Sequence, residues 1–307
     1  MQRDTPAGEI WMDGEFLPFG DAAVHVLTHT LHYGLGAFEG LRVYDGELGP
    51  AIFRLRDHTD RLFDSAHILG LELPFTREAL MDAQAALVRR NGLRAGYLRP
   101  LVFLGDEKRG LDPTGARVHV SIACWPWGAY LGEGAMERGI RVKVSSLARH
   151  HVNVQMCRSK SVSTYANSIL ASREVRADGY DEALLLDTEG FVAEGAGENL
   201  FIVRRGVLYE PDVTSALDGI TRRTVIELAR EEGWQVASRR LTRDEVYIAD
   251  EAFFTGTAAE VTPIVEIDRR RIGSGTPGPF TRRLQQRYHA CVHGEEAGHR
   301  EWLTPVR

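Results

Sequence analysis

Three observations predict an α+β chain of two domains. Its 307 residues match two domains of roughly 150 residues. Strand-like and helix-period runs are mixed along it without settling into repeated β-α-β units. The patterning also breaks around Pro126-Trp127-Gly128 and again at Gly132-Glu133-Gly134. These breaks predict a small N-terminal α+β domain at 1–127, a linker at 128–137 and a larger C-terminal domain at 138–307.

The elements follow in order. Residues 9–12 and 15–17 flank Asp13-Gly14 and read as an opening hairpin with a two-residue turn. The stretch HTLHYGLGAFEG, residues 29–40, mixes aromatics with three glycines and suggests backbone held close to something. Residues 52–69 place Leu55, His58 and Leu62 near helical spacing, and 76–92 form a second helix. Strands are expected at 97–104 and 118–125, joined by the polar loop 105–117. Beyond the linker come a strand at 140–146, a helix at 162–177, and strands at 183–187 and 190–193. A second hairpin follows at 199–203 and 207–209, around Arg204-Arg205-Gly206. Helix 221–232, strand 235–239, helix 243–248, strand 251–255 and a terminal helix over about 278–292 complete the reading.

Composition narrows the function classes. The chain is 43% hydrophobic, enough for real cores, with a net charge of -6. Its arginines are interleaved with acids, so no nucleic-acid partner is expected. Cys124, Cys157 and Cys291 are scattered and odd in number, which points to a reducing compartment and to no cysteine metal site. The first residues carry no apolar h-region, and no run approaches the ~20 apolar residues of a membrane span. The expectation is a soluble cytoplasmic protein with no membrane partner and no metal.

Four constellations carry chemistry. Lys160 lies in CRSKSVSTYANS and is one of only three lysines, with Lys108 and Lys143. Taken alone it is an ordinary surface lysine, but its neighbours are small or hydroxylic and Tyr165 lies five positions on. An imine-forming lysine must be deprotonated part of the time, which arginine cannot match. VAEGAGEN, residues 192–199, offers two acids in a glycine-rich turn. Its GxG runs into the strand-like NLFIV instead of a helix, which rules out a dinucleotide fingerprint. LDGIT (217–221) opens a helix and TGTAA (255–259) ends a strand. Both present small residues and hydroxyls where backbone N–H groups are free to hold a phosphate.

Together these stretches resemble the fold-type IV pyridoxal-phosphate enzymes, specifically the bacterial branched-chain amino acid aminotransferases. The resemblance runs from HTLHYGLGAFEGLRVYDG and FRLRDHTDRL through YLRPLVFLGD and PWGAYLG. It continues through SKSVSTYANSILASREV and GYDEALLLDTEGFVAEGAGENLF to LDGITR and TGTAAEVTP. The combination of EGAGEN, GITR and GTAAEVTP in this order is highly specific for the fold type. It implies that architecture, a small α/β domain and a larger pseudo-barrel domain. It also implies ping-pong transfer of the amino group of leucine, isoleucine or valine to 2-oxoglutarate, in branched-chain amino acid biosynthesis.

The resemblance also implies roles. Lys160 would hold pyridoxal 5'-phosphate as a Schiff base and serve as the catalytic acid and base, and Glu194 would pair with the pyridine nitrogen. Tyr165 would hydrogen-bond the ring oxygen. Arg61, Gly219, Ile220, Thr221, Gly256 and Thr257 would hold the phosphate. Substrate contacts would come from Tyr33, Phe38, Gly40, Trp127 and Tyr130. Tyr97, Arg99, Thr257 and Ala258 would meet the carboxylate. The Tyr-x-Arg pair resembles the L-selective subgroup and not the D-amino acid aminotransferases. Other fold-type IV enzymes, such as (R)-amine transaminases and 4-amino-4-deoxychorismate lyases, are the nearest alternatives. Two departures stand out. Lys108 and Arg109 replace small or apolar residues near the substrate mouth; an inward Arg109 would favour acidic substrates or broaden acceptance, and one facing solvent would change nothing. SKSVSTY also replaces a more usual GGNY-like stretch. A homodimer or higher homo-oligomer is implied, with Tyr33 and Leu111 reaching the neighbour.

Overall fold

The computed structural model describes residues 8–128, 131–132 and 134–306. The chain divides into two compact units. One comprises residues 1–128, 159–163 and 291–307; the other comprises 129–158 and 164–290. Tyr130 lies outside the described residues.

The first unit is built on an antiparallel sheet. Its strand order is Leu303–Pro305, Gly49–Phe53, Leu41–Gly46, Gly96–Leu104, Val118–Trp125, Glu9–Met12 and Glu15–Pro18, with Gly36–Phe38 pairing beside Gly96–Leu104. The opening hairpin turns at Asp13 (φ 50°) and Gly14 (φ 103°), left-handed values that suit a tight two-residue connection. The helices Leu55–Ile68 and Arg77–Arg90 fold onto the sheet. Thr76 caps the second, its side chain accepting from the Ala79 N–H at 3.1 Å. Leu55, Leu62, Leu80 and Leu87 join Leu41, Ile52, Leu98 and Ile122 in one buried core.

The first helix begins at Leu55 and not at residue 52, because Gly49–Phe53 is a strand. Arg54 takes a left-handed φ of 53° between the two. Four strands absent from the sequence reading belong to this unit: Gly36–Phe38, Leu41–Gly46, Gly49–Phe53 and Leu303–Pro305.

The second unit holds a mixed sheet. Its order is Val192–Gly195, Glu182–Leu186, Ile140–Val144, Glu260–Ile267, Glu251–Gly256, Asn199–Arg204, Val207–Glu210 and Val236–Ser238. Ile140–Val144 runs parallel to both of its neighbours, whereas Asn199–Arg204 is antiparallel to both of its own. Helices Tyr165–Ala177 and Ile220–Glu231 belong to this unit; the second has eight buried residues and an exposed polar stripe, as an amphipathic surface helix requires. The helix after Lys160 starts at Tyr165, three residues later than 162, because Ser161 and Val162 pair with the strand Gly36–Phe38 of the first unit. The long strand Glu260–Ile267 also escaped the sequence reading.

Candidate active site

Lys160 sits on the short segment that returns to the first unit. Its backbone is fixed from two sides. The Phe38 N–H donates to the Lys160 carbonyl at 3.1 Å and the Val162 N–H to the Gly36 carbonyl at 2.9 Å, which lays the segment along the strand Gly36–Phe38. From the helix Leu55–Ile68, the Ser65 hydroxyl oxygen accepts the Lys160 N–H at 3.0 Å. Lys160 Nζ lies 5.0 Å from the Phe38 ring centroid. The amine is therefore presented half-buried beside an aromatic face.

Below it is a buried charge cluster. Glu39 is fully buried and accepts two bonds from Arg61, at 2.6 Å from Nε and 3.0 Å from Nη2. His58 Nδ1 lies 2.7 Å from the same carboxylate. Burial acts to raise the Glu39 pKa, but the Arg61 guanidinium and His58 outweigh it and hold the carboxyl well below the usual range. Burial pushes His58 down; Glu39 opposes this, while the charges on Arg61 and Lys160 reinforce it. We read the cluster as a carboxylate against a charged Arg61, with a neutral His58 donating its N–H. The bidentate contact aims the Arg61 guanidinium.

A second arrangement in this unit surrounds Arg99. Its guanidinium carbon lies 4.9 Å from the Phe38 ring centroid, 5.2 Å from Tyr97 and 5.7 Å from Trp125. Tyr97 and Trp125 are direct cross-strand partners, and Trp127 packs on Tyr97 with ring centroids 4.6 Å apart. Gly40 makes room for this: a Cβ there would stand 1.7 Å from the Tyr97 Oη. The Arg99 Nε is buried and has no hydrogen-bond partner among the described residues. A buried donor left over among aromatic walls is what a carboxylate ligand would satisfy. Tyr33 holds the neighbouring loop, its hydroxyl donating to the Arg109 carbonyl at 2.9 Å. The Arg109 side chain itself is exposed.

The second unit carries the remaining expected residues. Glu194, 5% exposed, lies in the strand Val192–Gly195 and pairs with the buried Arg149, 2.7 Å from its Nε. It also accepts the Leu217 N–H at 3.1 Å. Leu217 opens the loop that leads into helix Ile220–Glu231, and the Asn199 side chain pins that loop by donating to the Leu217 carbonyl at 2.9 Å. Gly219 is the N-cap and offers no side-chain cap, so the first helical N–H groups are available to an anion. A Cβ at Gly219 would meet the Asn199 Oδ1 at 2.0 Å. Ile220 and Thr221 are buried. Arg222 is turned aside into contacts with Glu210 and Asp218. Gly256, Thr257 and Ala258 occupy the turn between Glu251–Gly256 and Glu260–Ile267, where Gly256 pairs with Glu260. Tyr165 is the first residue of helix Tyr165–Ala177.

Sequence reasoning overlooked Glu39, His58 and Arg149. Nothing in the local pattern marks them, since each gains its meaning from a partner distant in sequence.

The family model for amino-transferase class IV matches residues 36–267. The chain belongs to the class IV aminotransferases. A branched-chain-amino-acid aminotransferase of Pseudomonas aeruginosa is 56% identical over 300 residues, covering 98% of each chain. Among solved structures, the Escherichia coli branched-chain amino acid aminotransferase is similar with a TM-score of 0.96. It is 44% identical and covers 98% of this chain and 100% of that one. A branched-chain aminotransferase of the thermophilic archaeon Thermoproteus uzoniensis, solved with norvaline, has a TM-score of 0.94 at 44% identity, with the same coverage. The expected α+β class and fold-type IV architecture agree with these relatives.

Proposed function

We propose that this aminotransferase moves the amino group of L-leucine, L-isoleucine or L-valine to 2-oxoglutarate, with pyridoxal 5'-phosphate as cofactor. The observation that carries the substrate class is the buried Arg99 donor framed by Phe38, Tyr97 and Trp125. A fixed cation among aromatic walls suits a ligand with a carboxylate and an apolar side chain. The relatives' names point the same way.

The residues present fit the cofactor. The uncapped start of helix Ile220–Glu231 and the turn Gly256–Ala258 supply backbone donors for a phosphate, and Arg61 supplies a positioned charge. Bound pyridoxal phosphate supplies an electron sink for the pair released when the substrate Cα–H bond breaks. Lys160 would hold the cofactor, and its Nζ would take the substrate Cα proton and deliver it to the cofactor, so that the amino group stays behind on the cofactor as the 2-oxo acid leaves. Such positioned base work contributes ~10²–10⁴-fold. Glu194, held by Arg149 at 2.7 Å, would pair with the ring nitrogen, and Tyr165 would donate to the ring oxygen. By resemblance, Tyr97, Arg99 and the Thr257-Ala258 backbone would meet carboxylate, and Tyr33, Phe38 and Trp127 would face the substrate side chain. Arg109, whose side chain is exposed, would meet the acceptor only by turning inward, and the 2-oxoglutarate kinetics of Arg109→Ala test that role. The protein acts as a homodimer, its Tyr33 and Leu111 meeting the neighbour.

A half-reaction screen tests this reading. Individual L- and D-amino acids are added to holoenzyme and the cofactor's visible absorbance is followed. L-leucine, L-isoleucine, L-valine and L-glutamate should bleach it. Bleaching by D-amino acids but not by L-leucine or L-valine would overturn the substrate assignment.

A further inference from the structure

Outside the candidate active site, one cluster combines three kinds of metal-binding donor. Cys291, Glu296 and His299 place a sulfur, a carboxylate oxygen and an imidazole nitrogen all within 4.8 Å of one another. Cys291 is 1% exposed and His299 7%, so two of the three donors are withdrawn from water. The Cys291 Sγ lies 3.5 Å from the Glu296 Oε2, and the His299 Nε2 lies 3.9 Å from the same oxygen. In a tetrahedral zinc shell with bonds of about 2.0–2.3 Å, ligand atoms stand about 3.3–3.8 Å apart. Two of the three separations stand in or close to that range, and the third lies within 4.8 Å.

The imidazole is also held in place. His299 stacks on Trp302 with ring centroids 3.8 Å apart, and Arg54 covers the same Trp302 ring at 3.8 Å. The Arg54 N–H donates to the Trp302 carbonyl at 2.7 Å, tying this stack to the sheet. Glu296, with its side chain 24% exposed, gives an ion a route in from solvent.

We propose that Cys291, Glu296 and His299 form a three-ligand zinc site, with water as the fourth ligand. Mixed sulfur, nitrogen and oxygen donors favour a borderline ion over calcium or magnesium, which take oxygen. The charges balance: Zn²⁺ is neutralised by one thiolate and one carboxylate, with the imidazole neutral. On binding, the Cys291 thiol releases its proton to solvent and the sulfur lone pair bonds the metal, with no change of oxidation state. The site staples the returning chain just before Leu303–Pro305, the edge strand paired to Gly49–Phe53. The sequence alone pointed to no cysteine metal site, because the three cysteines are scattered, odd in number and lack a CxxC spacing.

Chelator-treated holoenzyme is incubated with zinc sulfate, gel-filtered and analysed for metal. The wild type should retain one zinc per chain and melt at a higher temperature, while Cys291→Ser and His299→Gln retain none. Cobalt(II) reports the geometry independently. Tetrahedral thiolate-ligated cobalt has strong visible bands at longer wavelengths than the cofactor absorbs. These bands should appear in the wild type and change in Glu296→Gln, whose partly exposed side chain makes a folded variant obtainable even if the buried substitutions misfold. Equal zinc retention in the cysteine and histidine variants would overturn the site. So would failure of the wild type to hold zinc, or a cobalt spectrum unaltered by Glu296→Gln. Each reading is independent of transamination, which all three variants should retain if folded.

Discussion

At the scale of single residues, the chemistry rests on groups whose charge state is imposed by neighbours. Glu39 is the clearest case, because a carboxylate sealed from water is tolerable only while Arg61 and His58 answer it. Glu39→Gln removes that charge and leaves a buried guanidinium short of its partner. The expected cost is about 3–5 kcal/mol of stability, with weaker cofactor binding as Arg61 loses its aim. Urea unfolding of the variant checks the first part, and an unchanged midpoint would refute it. Lys160→Ala should bind amino acid yet turn over almost nothing, since both anchor and proton carrier are gone; wild-type rates in a coupled assay would sink the assignment. His150 gives a pH test. Burial, and then the charge of Arg149, push its imidazole down to about 4 from an ordinary value near 6.5. The unfolded chain therefore takes up a proton between those values that the folded chain refuses. Stability should fall as pH drops through that window, and His150→Asn should flatten the slope. A pH series of melting temperatures that superposes for the two proteins would contradict it. Lys160 and Glu194 stand out in the sequence as candidates because small, hydroxylic or glycine neighbours mark them. Glu39 and Arg149 were not, because their partners, Arg61 and Glu194, stand 22 and 45 positions away.

At the scale of elements, what the sequence revealed depends on length and amphipathicity. The helices Leu55–Ile68, Arg77–Arg90 and Ile220–Glu231 each repeat a buried face over three turns or more, and all were readable. The five-residue helix His29–Tyr33 is too short to show a period, and the three-residue strand Gly36–Phe38 alternates nothing. Leu41–Gly46 and Gly49–Phe53 carry glycine and proline, which disguise a hairpin as a loop. Glu260–Ile267 contains Pro263 and buries four residues in a row, so it lacks the alternation of a half-exposed strand. The loop before helix Ile220–Glu231 allows a sharper test. Gly219→Ala would drive a methyl into Asn199 and break its bond to the Leu217 carbonyl. With the loop displaced, the helix N-terminus no longer presents its N–H groups, and the dissociation constant for pyridoxal phosphate should rise about tenfold or more, equivalent to one or two lost hydrogen bonds. Fluorescence titration of apoenzyme measures this, and an unaltered constant would remove the loop from the phosphate site.

At the scale of the whole molecule, the surface of the first unit argues for self-association. Leu111 is 82% exposed, Leu31 65% and Tyr33 45%. Tyr33 and the loop that carries Leu111 are tied together, because the Tyr33 hydroxyl bonds the Arg109 carbonyl and the His29 imidazole reaches the Gly110 carbonyl at 2.9 Å. The loop that carries Leu111 is thus braced with its apolar side chain outward, an arrangement without benefit to an isolated chain but suited to a partner surface. In a two-fold dimer each such side chain is buried twice. At about 1.5–3 kcal/mol per buried leucine, Leu111→Asp should cost the dimer about 3–6 kcal/mol. Sedimentation velocity across a concentration series should show the wild type as a dimer or larger and the variant shifted towards monomer. Because Leu111 and Tyr33 are proposed to meet the neighbour, with Tyr33 also facing substrate, the dissociated variant should lose affinity for branched-chain substrates while retaining bound cofactor. A wild type that sediments as a monomer, or a variant with unchanged assembly and KM, would show that the patch has another purpose.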